Sequence, residues 1–253
     1  MPQFLVNPCD VDPALRRARI RGEEAHHLLR VLRARPGQEV LLFDGGGRRW
    51  AGRLAGVRDG VGQVEELRAL PPNEPPLEVV LVAALPKGDR WEWVLEKGTE
   101  LGVAGFRPVY TERSVARPPT ARLRPRAARW EKLVTAASKQ CERGRIPPVG
   151  DPVELGRLLA ELAPPRPGEA RLFLAERSPA RAPPLPAPPV ERVWVAVGPE
   201  GGWAPSERAA LEGSGFAPVP FGPRILRAET AALAALVWVQ ARWGDLEPPA
   251  PAW

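Results

Sequence analysis

Residues 193–203 read Val193-Trp194-Val195-Ala196-Val197-Gly198-Pro199-Glu200-Gly201-Gly202-Trp203. An apolar run stops abruptly in a Gly-Pro-Glu-Gly-Gly turn. Such a run, without polar alternation, predicts a strand buried on both faces, as in the interior of a parallel sheet. Glycines at its carboxyl end let a ligand come close to the backbone, and open α/β sheets bind ligands at that edge. A tight turn into the next helix accounts for the same residues equally well. The spacing is not G-x-G-x-x-G and no Lys-Ser/Thr pair follows, so ordinary dinucleotide and triphosphate binding are not supported.

Outward from this strand the chain alternates between strand and helix patterns. Residues 77–85 (LEVVLVAAL) are a second apolar run. Asp89 is placed to cap a helix carrying Trp91, Val94, Leu95 and Leu101 at helical spacing, and Gly102 ends it. Strands are expected at 105–110, 171–175 and 217–221, and helices at 126–141, 207–212 (behind Pro205-Ser206) and 229–243. The alternation argues for a mostly parallel α/β sheet. Residues 221–231 (FGPRILRAETA) form a second glycine-bearing turn after a strand. There Arg224 and Arg227 bring charge, and Glu229 and Thr230 are either helix-start residues or site residues. Two such turns at strand ends make a shared pocket plausible. Residues 111–114 (TERS) put Arg113 where it meets a phosphate or a base, or stays a surface arginine; Lys97 and Glu100 read as an i,i+3 surface ion pair.

Residues 1–70 read differently. Strands at 39–43, 48–55 and 62–70 are separated by Asp44-Gly45-Gly46-Gly47 and Asp59-Gly60 turns. One helix near 23–33 puts Ala25, Leu28, Leu29 and Leu32 on one face. Adjacent helical residues cannot point at one ligand, so His26 and His27 read as packing or surface residues. The stiff connector 70–76 (LPPNEPP) divides the chain into 1–72 and 76–253.

The chain has 253 residues and a net charge of +6. Residues 107–145 alone carry net +8, from 11 basic and 3 acidic groups. Such a field attracts a polyanion, and arginine forks match phosphate oxygens. With so few acids nearby, pairing does not explain these bases, and nucleic acid is favoured over a merely solvated face. Arginine far outnumbers lysine and prolines are many, which suits a heat-adapted source or a GC-rich genome. Cys9 and Cys141 make no disulfide framework, no apolar run spans a bilayer, and residues 1–20 lack an apolar signal core. A reduced, cytoplasmic protein is the expectation. Two histidines and no Cys-x-x-Cys leave little for a metal site or a Ser-His-Asp relay, so catalysis rests on carboxylates, arginines, lysines, backbone dipoles or a cofactor.

GPEGGW and FGPRILRAETAAL, preceded by PKGDRWEWVLEKGTELGV, TERS and QCERGRIP, together resemble the bacterial 16S rRNA (uracil-N3) methyltransferases, members of the knotted SPOUT superfamily. EAHHLLRVLRARPGQEVLLFDG resembles that family's PUA-like RNA-binding domain, and the resemblance covers nearly the whole chain. One departure is Lys139, where the family pattern has Glu. The resemblance implies a small PUA-like β-barrel domain, then an α/β domain with a deep trefoil knot. It implies S-adenosylmethionine held by Leu174, Ala175, Gly198, Pro199, Gly201, Gly202, Gly222, Ile225, Leu226, Ala228 and Thr230. Arg227, Arg113 and Glu229 are the implied catalytic candidates. Arg122, Arg124, Arg126, Arg143 and Arg145 would contact RNA. The implied assembly is a homodimer acting on 16S rRNA in the small subunit, with no metal and no membrane. Competing readings are a non-catalytic RNA-binding or ribosome-assembly protein, and a methyltransferase of the same fold acting on ribose 2′-oxygens or on transfer RNA. A nucleotide-dependent oxidoreductase is disfavoured by the glycine spacing.

Overall fold

The computed structural model describes residues 1–86, 88–114, 123–175 and 189–246. They form two compact units, Met1–Glu74 with Thr135–Ile146, and Pro75–Val134 with Pro147–Trp253.

The first unit is a six-stranded sheet in the order β1-β4-β5-β6-β3-β2. Its strands are β1 (Gln3–Leu5), β2 (Val11–Asp12), β3 (Arg17–Ile20), β4 (Glu39–Phe43), β5 (Arg49–Arg58) and β6 (Val61–Leu70). Asp59 and Gly60 both have positive φ (52° and 74°), the geometry a two-residue hairpin demands. Register shifts between Ala51 and Arg53 and between Leu54 and Gly56 bend β5. Gly52 sits at the first of them, where a Cβ would fall 2.6 Å from Val64. The bent sheet wraps a core of Phe4, Val6, Ile20, Leu28, Val40, Leu42, Trp50, Leu54 and Val64. α1 (Gly22–His26) passes directly into a π turn, His27–Val31. Its wider turn rotates later residues off the expected face: Ala25 and Leu28 are buried, whereas Leu32 is exposed. His26 is exposed, and His27 meets the Phe4 ring edge-on.

Asp44 organises the loop after β4. Its carboxylate accepts from the Gly46 and Arg48 N–H groups and from Arg48 Nε at 2.6 Å. Burial pushes its pKa up, but the Arg48 hydrogen bond and the two backbone donors outweigh this and hold it below 3.8. A depressed carboxylate stabilises above its unfolded pKa and loses that contribution as pH falls through the folded value. Asp44→Asn is therefore expected to destabilise at neutral pH, with the difference from wild type closing as pH drops below 3.8 in acid unfolding curves.

The second unit is a six-stranded sheet, β12-β10-β11-β7-β8-β9, in which every recorded pairing is parallel. β7 (Glu78–Ala84), β8 (Val103–Tyr110), β9 (Val153–Glu154), β10 (Glu169–Ala175), β11 (Arg192–Val197) and β12 (Ala217–Pro220) alternate with helices α2 to α6. β7 is buried from Val79 through Ala84, as its apolar run requires, because helices cover both faces. α2 (Arg90–Glu100) and α6 (Ala228–Trp243) pack together, as do α4 (Leu155–Glu161) and α5 (Pro205–Gly213). Gly98 lets α2 lie close to Phe106, where a Cβ would come within 2.8 Å. Lys97 bridges Glu96 and Glu100 at 2.8 and 2.9 Å. These hydrogen bonds, Glu96 first, raise its pKa.

Three helix starts differ from expectation. Asp89 makes no side-chain cap, nor do Glu229 and Thr230, since Arg227 occupies the N-cap of α6. In α5 the work falls to Glu207, whose Oε2 accepts from the Ala204 N–H at 2.9 Å while Pro205 opens the helix; Ser206 is not the cap.

α3 (Leu123–Gln140) ends in the returning segment 135–146, which clusters with the first unit. There Glu74 accepts from Arg143 Nε and Nη2 (3.0 and 2.7 Å) and from the Gly144 and Arg145 N–H groups (3.0 and 2.9 Å). Lys139 donates to both oxygens of Glu24 at 2.8 Å, which gives the departure from the family pattern a structural job. The expectation that the basic excess of 107–145 has no partners is therefore corrected. Arg143 pairs with Glu74, Lys139 with Glu24 and Arg129 with Glu92, acids remote in sequence.

Candidate functional site

Because the sheet is parallel, the ends of β10, β11 and β12 lie at one edge, and each runs into a loop. The loops enclose a cavity of about 230 Å³. Leu174 and Ala175 come from the end of β10, and Val197, Gly198, Pro199, Gly201, Gly202 and Trp203 supply the wall after β11. Phe221 through Leu226 form the wall after β12, with Ala228 and Ala231 of α6 at the base. Arg113 and Arg208 complete the lining.

The glycine turn is built to a fixed shape. The Gly202 N–H closes it onto the Pro199 carbonyl at 2.9 Å, with Gly202 at φ 69°. The indole of Trp203 donates to the Leu174 carbonyl at 3.0 Å, tying the loop after β11 to the end of β10. A Cβ on Gly198 would come within 3.0 Å of that indole, so only glycine leaves the ring in place. Gly198→Val is expected to cost about 1–3 kcal/mol by overpacking, read as a lower thermal midpoint.

Arg113 holds the turn from the opposite side, donating from Nη1 to the Gly201 carbonyl at 2.8 Å. The backbone carrying Arg113 is itself fixed. Thr111 and Ser114 hydrogen-bond each other through side chain and main chain, and the Glu112 N–H donates to Glu207 Oε1 at 2.7 Å. Glu207 thereby joins the segment after β8 to the start of α5. On the third side Arg90 donates from Nη1 to Glu200 at 3.0 Å, and its Nε lies 3.6 Å from Glu229.

The structure brings most of the candidate ligand residues together. Leu174, Ala175, Gly198, Pro199, Gly201, Gly202, Gly222, Ile225, Leu226 and Ala228 line the cavity, with Arg113. Thr230 faces a neighbouring groove with Phe221, Leu226 and Trp238. Arg227 is exposed at the α6 N-cap, and Glu229 turns toward Arg90 rather than into the cavity lining. Arg143 is 4% exposed and donates from Nε and Nη2 to Glu74. Arg124, Arg126 and Arg145 are exposed, and Arg122 lies outside the described residues. Among the described residues no three His, Cys, Asp or Glu side chains gather as metal ligands, and no helix is long and apolar enough to cross a membrane.

Two known domain families match this chain: an RNA methyltransferase domain over residues 73–240 and an RNA methyltransferase PUA domain over 20–61. Ribosomal RNA small subunit methyltransferase E of Synechocystis is 37% identical over 223 residues, spanning 86% of this chain and 71% of that protein. The Bacillus subtilis protein of the same name is 31% identical, over 86% of this chain and 87% of its own. This chain belongs to the ribosomal RNA small subunit methyltransferase E family. A methyltransferase E structure from Neisseria gonorrhoeae, bound to S-adenosylmethionine, superposes with a TM-score of 0.79 at 31% identity, covering 97% of this chain and 99% of that one. A methyltransferase from Legionella pneumophila, also with S-adenosylmethionine, gives 0.77 at 30% identity over 97% and 98%.

Within this methyltransferase E member, sequence reasoning missed Trp203, Glu207, Arg208 and Arg90 as parts of the site. Trp203 was visible beside the glycines, but its bond to Leu174 spans 29 positions. Glu207 reads as an ordinary first-turn acid, and nothing local reveals that it also holds Glu112.

Proposed function

We propose that this protein transfers a methyl group from S-adenosylmethionine to N3 of a uridine in 16S ribosomal RNA. The observation carrying this reading is the cavity at the carboxyl edge of the parallel sheet, walled by two glycine turns and flanked by arginines. The fit to the cofactor rests on the lining. Leu174, Val197, Ile225, Leu226 and Ala231 offer an apolar bed for a purine, and glycine turns expose backbone polar groups for its sugar and amino-acid parts. When bound, S-adenosylmethionine supplies a methyl on a cationic sulfur, activated for in-line transfer.

The chain's residues must then do three things. They hold the reacting nitrogen in line, exclude water and favour loss of the N3 proton. Arg113, in the cavity wall, is our candidate for stabilising the deprotonated base. Arg227, exposed at the α6 start, is our candidate for meeting the RNA, and the N3 proton passes to solvent. The unpaired uridine must be presented out of its stack.

In the same proposal, 1–72 is a PUA-like RNA-binding domain and 76–253 a methyltransferase domain with a trefoil knot. The protein works in the cytoplasm as a homodimer on the small ribosomal subunit. Arg124, Arg126 and Arg145 track the RNA backbone. Arg124→Glu with Arg126→Glu is expected to weaken RNA binding and reduce the slope of log affinity against log salt by about 2. Unchanged affinity and slope would remove these residues from the RNA contact.

The deciding experiment combines calorimetry with S-adenosylmethionine and nucleoside mass mapping after incubation with small-subunit RNA. Heat of binding and 3-methyluridine are expected. No heat favours an RNA-only binder, and a methylated 2′-oxygen assigns the chain to a different reaction.

A further inference from the structure

Arg90 lies outside the cavity, yet it touches two of the cavity's walls. Its Nη1 donates to Glu200 at 3.0 Å, and Glu200 sits in the glycine turn between Pro199 and Gly201, both of which line the cavity. Its Nε lies 3.6 Å from Glu229, next to Ala228, which lines the cavity from α6. We propose that Arg90 is a positioning residue that holds the glycine turn and the start of α6 at the spacing S-adenosylmethionine requires. The proposal rests on the cofactor reading above.

Three features point to this role rather than to general stability. Arg90 and Glu200 are about 40% exposed (41% and 39%), and half-exposed ion pairs add little to global stability. Glu229 is only 11% exposed, and its Oε2 is buried without a hydrogen-bond partner, so the Arg90 cation is its nearest compensation. The planar guanidinium donates to Glu200 from Nη1 while its Nε side keeps an ion pair with Glu229, a spread of charge that a compact ammonium does not reproduce. The turn is thus pinned twice, by Arg113 on the Gly201 carbonyl and by Arg90 on the Glu200 side chain.

The test compares Arg90→Ala, Arg90→Lys, Glu200→Ala and Glu229→Gln with wild type. Hydrogen exchange of the amides of 198–203 is followed without ligand, and S-adenosylmethionine affinity is measured by calorimetry. Arg90→Ala is expected to speed exchange in the turn about ten-fold and weaken cofactor binding about ten-fold, with RNA affinity unchanged. Glu200→Ala should reproduce much of both effects, and Arg90→Lys should recover only part. The affinity gap between wild type and Arg90→Ala should narrow toward 1 M salt, as screening removes the pair. Wild-type exchange in Arg90→Ala overturns the proposal. So does weakened cofactor binding in Arg90→Ala that neither Glu200→Ala nor Glu229→Gln shares, because Arg90 would then touch the ligand itself. A wild-type protein that takes up no S-adenosylmethionine defeats the functional reading instead, and the exchange measurement still decides the clamp.

Discussion

Arg113→Ala is expected to lower kcat/KM by about 100-fold, the cost typical of deleting a donor placed where charge develops. Arg113 has two tasks in this site: it carries a positive charge into the cavity wall and anchors the Gly201 carbonyl. The tasks separate in a pH profile. If the cation favours the deprotonated uracil, its loss moves the rising, acid-side limb of activity to higher pH. Arg113→Lys keeps the charge but loses the planar fork, so the limb should stay near wild type while cofactor affinity weakens. A profile unmoved in Arg113→Ala, with only cofactor affinity reduced, would leave Arg113 as a loop anchor and nothing more.

Glu74→Ala is expected to cost about 1.5–3 kcal/mol, the scale of hydrogen bonds made to a charged group. Arg143 is 4% exposed and donates twice to Glu74 Oε2, while Glu74 Oε1 accepts from two backbone N–H groups. Urea unfolding is the measurement, with Glu74→Gln as the milder control because it keeps the shape and a neutral acceptor. A loss under about 1 kcal/mol would mean that water takes over the guanidinium, and the pair would count as a surface one.

These two residues mark what the sequence can and cannot disclose. β7 and β11 were legible because burial on both faces writes itself as an uninterrupted apolar run. The two glycine turns were legible because positive φ and close approach leave few residue choices, as Gly202 and Gly222 show. β3 and the helix α4 were not foreseen, being too short, at four and seven residues, to show a periodic pattern. Glu74 lay inside a proline-rich connector that read as a spacer, whereas the structure fastens it to Arg143, 69 positions away. The pairing of three residues in the basic stretch was hidden for the same reason: local charge counting cannot see Glu24, Glu74 and Glu92 arriving from elsewhere to meet Lys139, Arg143 and Arg129. Long-range pairing leaves no periodic trace, and three of the four missed parts of the site (Arg90, Glu207 and Trp203) are defined by such a pairing.

The segment 135–146 carries a practical corollary for anyone wishing to transplant the N-terminal module. A gene fragment encoding Met1 to Glu74 would leave Glu24 and Glu74 facing solvent where Lys139 and Arg143 now stand, and would expose the backbone edge at Gly45–Gly47 that Gly144–Ile146 occupies. A self-standing graft has to carry that dozen residues along, stitched on as a second piece.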